Sequence, residues 1–243
     1  MTSLMTASRF SAELRAISWP CGVVAHPIVD AYAAVSVGNK SFSGARLEAL
    51  LLWIERHVVR CRLVVGGELS RWTVMMERGI TEDDAKAVAA RHENRKLAEL
   101  RRAVLHVERP EVFSLTTCAE LRSHPRFRTA AAEISAIRSN DSRFAELIRL
   151  SARRYCEARV QKGRPMAVSF ATAEEFSTAF IAEELALFCV LVSTGSPVEI
   201  YPGPELPVLA EIAAGRFPEV PLELRERVNV EVEINPSPPG PNP

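Results

Sequence analysis

The chain has 243 residues, 30 basic and 30 acidic, for a formal net charge of zero. That length can bury a sizeable core, and a neutral chain is steered by its overall charge neither to nucleic acid nor to a membrane, so an anionic partner must be met by a local basic patch. The five cysteines, Cys21, Cys61, Cys118, Cys156 and Cys189, contain no C-x-x-C pair; this spacing argues against zinc or a dithiol motif and fits a reducing cytosol.

The opening stretch MTSLMTASRFSAELRAIS carries charges throughout and reads as a weak cap or arm, not a signal peptide. Residues 32–37 read as a short apolar strand with Ser36 at its last turn. Gly38, Asn39, Ser41, Ser43 and Gly44 follow, all turn formers. Ser43 is placed to cap a helix on which Leu47, Leu50, Leu51, Ile54 and Val58 recur at helical spacing. CRLVVGG is a second buried strand, closed by two glycines. A helix between two apolar strands predicts a parallel sheet covered on both faces, an α/β architecture of three layers. In such sheets ligands sit beyond the carboxyl ends of the strands, where Ser36 lies.

Residues 81–105 predict one long helix or two. At about 100° per residue, Arg91, Arg95 and Arg102 share one side, with Lys96 and Arg101 on its flanks, and Leu97, Leu100 and Val104 oppose them. The stripe is either a solvated face or a nucleic-acid site. EVFSLTTCAEL holds a candidate strand. Residues 142–160 predict an amphipathic helix with Phe144, Leu147, Ile148 and Tyr155 inward. Thr172 and Glu175 form a T-x-x-E capping pattern ahead of a helix on which Phe176, Phe180, Glu184 and Phe188 share a face. VEIY predicts a strand stopped by Pro202, and LPVLAEIAAGRF a helix ended by Gly215. VNVEVEI alternates as a final edge strand. Residues 1–234 are read as one Rossmann-like domain and the proline-rich residues 235–243 as a disordered tail. No uninterrupted apolar segment is long enough to span a membrane.

Three polar groups fall near one sheet edge: Ser36, Glu184 and Tyr201. Ser36 alone reads equally as a turn residue. The G-x-S-x-G elbow of α/β-hydrolases is absent, and His26, the nearest histidine, precedes a proline without a triad setting. G-x-G-x-x-G and Walker A patterns are missing, so no dinucleotide, ATP or other cofactor is expected, nor a metal. Within FIAEELALF, Glu183 and Glu184 point about 100° apart, so one can be solvated while the other faces inward; a buried carboxylate is costly unless it binds a cation, a donor or a proton.

AAVSVGNKSF resembles the nucleophile segment of cyclodipeptide synthases, FIAEELALF their second motif and VEIYPG their third, in the family order; the resemblance covers residues 23–201. It implies a fold like the catalytic core of class I aminoacyl-tRNA synthetases. It also implies a tRNA-dependent aminoacyltransferase that joins two amino acids into a diketopiperazine, through an aminoacyl-enzyme on Ser36 and then a dipeptidyl-enzyme. Glu184 would hold the α-ammonium of the first amino acid and move protons, and Tyr201 would position the intermediate. Tyr32, Ala34, Asn39, Phe180, Leu187 and Glu199 would line the substrate site. Arg91, Arg95, Lys96, Arg101 and Arg102 would meet tRNA phosphates. The partners implied are two aminoacyl-tRNAs, with no membrane and no protein partner, for a cytoplasmic monomer. An aminoacyl ester is already activated, which suits the missing phosphate loops. Two departures from the family motifs stand out: the motif tyrosine is Phe180, and the motif proline after E-L is Ala186. Tyr201-Pro202 resembles a subgroup that often lacks the asparagine present here as Asn39, so Asn39 is either a turn or a pocket residue. Glu199 faces either solvent or the pocket; if inward and unpaired, it favours a histidine or other cationic first residue. The rival readings are a serine hydrolase or thioesterase, which needs a histidine at Ser36, and a non-catalytic tRNA-binding module.

Overall fold

A computed structural model describes residues 10–20 and 28–237; Cys21, His26 and residues 238–243 of the proline-rich tail lie outside the described residues. The strands are β1 (Phe10–Ser18), β2 (Asp30–Val35), β3 (Arg60–Val65), β4 (Phe113–Thr117), β5 (Val198–Tyr201) and β6 (Val228–Pro236). The helices are α1 (Gly44–His57), α2 (Arg71–Arg78), α3 (Glu82–Val104), α4 (Cys118–Ser123), α5 (Pro125–Asn140), α6 (Ser142–Gln161), α7 (Phe170–Ser193), α8 (Pro207–Ala213) and α9 (Leu222–Glu226). The strands form one sheet in the order β1-β6-β5-β2-β3-β4. All neighbours are parallel except β1 and β6, and helices cover both faces.

Side chains alternate across a strand, and the alternation sorts the two cores. Ala31, Ala33 and Val35 of β2, Cys61, Leu63 and Val65 of β3, Val198 and Ile200 of β5 and Val228, Val230 and Val232 of β6 pack with Leu47, Leu50, Leu51 and Ile54 of α1 and Leu100 of α3. Tyr32 and Val64 face the other way, into a core built by α5, α6, α7, α8 and α9. The even-numbered face of β2 therefore looks toward α7, and Ser36 continues that parity just beyond the strand's carboxyl end.

α7 is long and apolar enough by length and composition to cross a membrane. Here Ala173, Ile181, Leu185, Phe188 and Leu191 are buried inside the protein, and its Glu174 and Glu183 find partners on α2, α4 and α6, which makes it the central helix of this core. Its N-cap is Ser169, whose hydroxyl accepts from the Thr172 amide at 3.1 Å. Thr172 and Glu175 are thus inside the first turns, not at the cap: a better-placed serine three residues earlier starts the helix first. α3 is a single helix capped by Thr81. Gly67, after β3, permits its approach: a Cβ there would run into the Glu93 side chain.

Three further expectations are corrected. β6 is not an edge strand. β1 pairs with it antiparallel from Phe10↔Pro236 to Ser18↔Asn229, an arm whose Arg15 reaches Glu231 at 3.3 Å. Glu13 and Arg15, with a register shift between Leu14 and Ala16, suit β1 to the edge. The same pairing draws Asn235 and Pro236 out of the predicted tail into β6. Tyr155 does not pack inward with Phe144 and Ile148; it is 43% exposed, its hydroxyl accepting from Arg159 at 3.1 Å.

Candidate active site

Beyond the carboxyl ends of β2, β3 and β5 lies a cavity of about 520 Å³. Its wall includes Ala34, Ser36, Phe180, Glu184, Leu187, Glu199 and Tyr201, seven of the nine residues expected in the catalytic and substrate sets. Ser36 is brought there by the end of β2. Its carbonyl accepts from the Asn39 amide at 3.4 Å, which turns the chain so the serine side stays at the opening. Among the described residues no histidine hydrogen-bonds Ser36. The one histidine on the wall, His92, is held below its ordinary pKa by burial and then by Arg78 and Arg95.

Asn39 proves to be a turn residue with a long reach. Its side-chain oxygen accepts from the Ser41 amide at 2.9 Å, and its nitrogen donates to the Tyr201 hydroxyl at 3.4 Å. The Tyr201 ring also leans on Phe42, centroids 5.8 Å apart. The tyrosine is thus fixed from the loop that follows Ser36. Burial, then the Glu184 carboxylate, push the Tyr201 hydroxyl up to about 12, so it stays protonated at neutral pH.

Glu184 reaches the cavity because Glu183 does not. Glu183 is clamped on the other side: Arg71 donates to it at 2.7 and 3.2 Å, Trp72 Nε1 at 2.9 Å, and Arg122 closes on it as well. The 100° offset between neighbours on a helix then fixes Glu184 toward the opening. Burial, followed by the Glu199 carboxylate, pushes the Glu184 carboxyl up to about 8, with Arg227 acting against them. It is poised to exchange a proton near neutral pH.

Two expected site residues are placed differently. Tyr32 is fully buried behind the wall, tilted against Phe188 with centroids 5.7 Å apart, because β2 pairs on both sides and α7 covers it. Lys96 is no part of an exposed stripe. It is 5% exposed, and its Nζ donates to the Phe42 carbonyl at 2.9 Å, to Ser43 Oγ at 2.9 Å and to Glu99 at 2.6 Å. Ser43, the expected side-chain cap of α1, spends its oxygen there and makes no cap bond. The wheel held a signal for this: Lys96 is four residues before Leu100 and shares its buried face. Arg91, Arg95, Arg101 and Arg102 remain exposed. Lys96→Met is expected to cost about 1–3 kcal/mol by stranding the Phe42 carbonyl, while leaving the salt dependence of tRNA binding unchanged; thermal melts and binding titrations check both.

The profile of the family described as Cyclodipeptide synthase matches residues 15–202. The chain belongs to the cyclodipeptide synthase family. No curated protein is significantly similar in sequence. A solved cyclodipeptide synthase from Fluoribacter dumoffii superposes with TM-score 0.77 at 15% identity, over 93% of this chain and 99% of that one. A Mycobacterium tuberculosis structure that relates cyclodipeptide synthetases to type I tRNA synthetases gives 0.62 at 20% identity, over 86% and 87%. A cyclodipeptide synthase from Candidatus Glomeribacter gigasporarum, bound to Phe-tRNAPhe, gives 0.59 at 15% identity, over 91% and 92%. The chain is accordingly an aminoacyl-transferring enzyme of this family with its three-layer α/β fold.

Sequence reading missed several residues of this candidate site in the cyclodipeptide synthase chain. Arg227 pairs with Glu199 at 2.9 Å and with Glu205 at 2.5 Å, so Glu199 is inward but not unpaired. Glu205 and Asn229 line the cavity. Arg227 lies between α9 and β6, where an arginine reads as solvated; the parity of VNVEVEI, by contrast, set Asn229 opposite the valines.

Proposed function

We propose that Ser36 is the nucleophile of a two-step synthesis of a cyclic dipeptide from two aminoacyl-tRNAs. The observation that carries this reading is the convergence of Ser36, Glu184 and Tyr201 on one cavity, with no histidine bonded to Ser36 among the described residues. A serine hydrolase needs that histidine as general base; an aminoacyl ester, already activated, does not. The Phe-tRNAPhe bound by the Glomeribacter relative supports the substrate class.

In the first step Ser36 Oγ attacks the ester carbonyl of one aminoacyl-tRNA, and the tRNA ribose oxygen leaves with the proton. The amino acid stays on Ser36 with its α-ammonium against Glu184. For the dipeptide to remain on Ser36, this α-amine must first lose a proton and then attack the ester of the second aminoacyl-tRNA, whose ribose oxygen leaves as the hydroxyl with the proton given up by the amine. Burial raises the Glu184 pKa toward that of an α-amino group, about 7.7–8.0, which suits this carboxylate to take the proton. The new terminal amine then attacks the seryl ester, closing the diketopiperazine and returning the proton to Ser36 Oγ. Tyr201, held by Asn39, donates to the oxygen of the reacting carbonyl.

The phosphates meet Arg91, Arg95, Arg101 and Arg102 on α3. Reversing Arg91, Arg95 and Arg102 to glutamate is expected to weaken tRNA binding. It should also flatten the salt dependence by about 0.7–0.9 in log–log slope for each phosphate that is no longer neutralised. The melting temperature should barely move, as the side chains are exposed. Unchanged affinity would demote the stripe to a solvated face. For the reaction itself, expression in a bacterial host should release diketopiperazines detected by mass spectrometry of the medium. Ser36→Ala should release none; undiminished product from it overturns the mechanism.

A further inference from the structure

Three neighbouring strands present a row of polar side chains beneath the cavity. Tyr32 on β2 is in register with Glu199 on β5, and Glu199 with Asn229 on β6. Glu199 and Asn229 line the cavity and are 5% and 3% exposed. The Asn229 side-chain amide makes no hydrogen bond among the described residues, although it carries two donors and an acceptor. The Tyr32 hydroxyl, buried behind it, also lacks a partner. An unpartnered buried hydroxyl is rare in a closed core; the Asn229 amide opens onto the cavity and is available to a ligand.

The charges in this corner do not balance. Arg227 serves both Glu199 and Glu205. It is 3% exposed and held over the Phe188 ring at 5.4 Å, so it is not free to leave. No other cation among the described residues bears on Glu199 or Glu184. Burial answers this surplus by raising the Glu199 pKa; with the α-ammonium assigned to Glu184, two carboxylates share one guanidinium, and one more cation is needed for both to stay ionised. A buried carboxylate lacking full compensation is costly, and a ligand that supplies the missing charge relieves it.

We infer that the pocket for the first amino acid selects a cationic, hydrogen-bond-donating side chain, with Glu199, Glu205 and Asn229 as its specificity-determining residues. This rests on the reading of the cavity as an aminoacyl site. An ammonium, guanidinium or imidazolium group donates to Glu199 and to the Asn229 oxygen while completing the charge count. An apolar side chain does neither and leaves Asn229 unpartnered.

The test reads the first half-reaction alone. The full-length protein is incubated with tRNA charged with one radiolabelled amino acid at a time, each of the twenty in turn, and label retained covalently on the protein is measured. Lysine, arginine or histidine is expected to label at least tenfold more than leucine or phenylalanine. Glu199→Gln leaves Arg227 balanced by Glu205 and should shrink that preference below threefold; Glu205→Gln should act in the same direction and serves if the first variant melts early. Leucine or phenylalanine labelling as well as the cationic residues overturns the inference and leaves the acyl-enzyme intact. No retained label from any amino acid overturns the acyl-enzyme and the inference with it.

Discussion

Glu184→Gln is expected to lower diketopiperazine formation by about 10²–10⁴-fold, the usual contribution of a positioned proton-transfer group, and at the same time to stabilise the free enzyme in alkali. The sign follows from the two protonation states. The carboxyl has an ordinary value of 4.5 and about 8 in the folded protein. Between those values the folded state binds more protons than the unfolded chain, so stability falls as pH rises through that window. Glutamine has no proton to lose and escapes the fall. The cavity opening lets water moderate the cost, so the gain at about pH 9 should be roughly 1–3 kcal/mol, vanishing near pH 5. Thermal melts of both proteins across this range read it. A variant less stable than wild type at every pH would mean that Glu184 is ionised and bonded in the resting enzyme.

Glu183→Ala is expected to do the opposite: destabilise first, and impair activity as a consequence. It strands Arg71 and Arg122, and removing one partner of a buried ion pair costs about 3–5 kcal/mol. Arg71 keeps Glu82 at 3.2 Å and the Glu68 carbonyl at 3.2 Å, which argues for the lower end, about 3 kcal/mol. In a chain of this size that is a fall of about 6–12 °C in melting temperature. Product should drop in the same variant even where it is fully folded, because the clamp that sets the rotation of α7 under Glu184 is gone. A melting temperature within about 2 °C of wild type would remove Glu183 from this role.

The contrast between these adjacent glutamates also marks how far the sequence could be read. Helical geometry separates Glu183 from Glu184 by about 100° and allows one to be inward, but not which. That choice is made by Arg71, Trp72 and Arg122, which arrive from α2 and α4 and share no local pattern with α7. Several local signals held: the strand end at Ser36, the turn formers after it, the shared face of Phe180 and Glu184, and the stop at Tyr201-Pro202; the two side-chain caps read at Ser43 and Thr172 did not, because Lys96 takes the Ser43 oxygen and Ser169 starts α7 first. Period-two parity also put Glu199 on one face of β5 and Asn229 on one face of β6. What parity could not supply was register, and without register the row Tyr32–Glu199–Asn229 is invisible. Lys96 and Arg227 failed for another reason. A long cationic side chain reads as solvated by default, and only the tertiary contacts with Phe42 and Ser43, or with Glu199 and Glu205, turn it into a buried strut.

The central claim is that one amino acid is held on Ser36 between two tRNA encounters. Intact-mass spectrometry of the protein, quenched after incubation with a single aminoacyl-tRNA, tests it most directly. The expected result is an adduct equal to one aminoacyl group, mapped by digestion to Ser36 and absent from Ser36→Ala. Diketopiperazine formation without any such adduct, or an adduct that persists in Ser36→Ala, would contradict it.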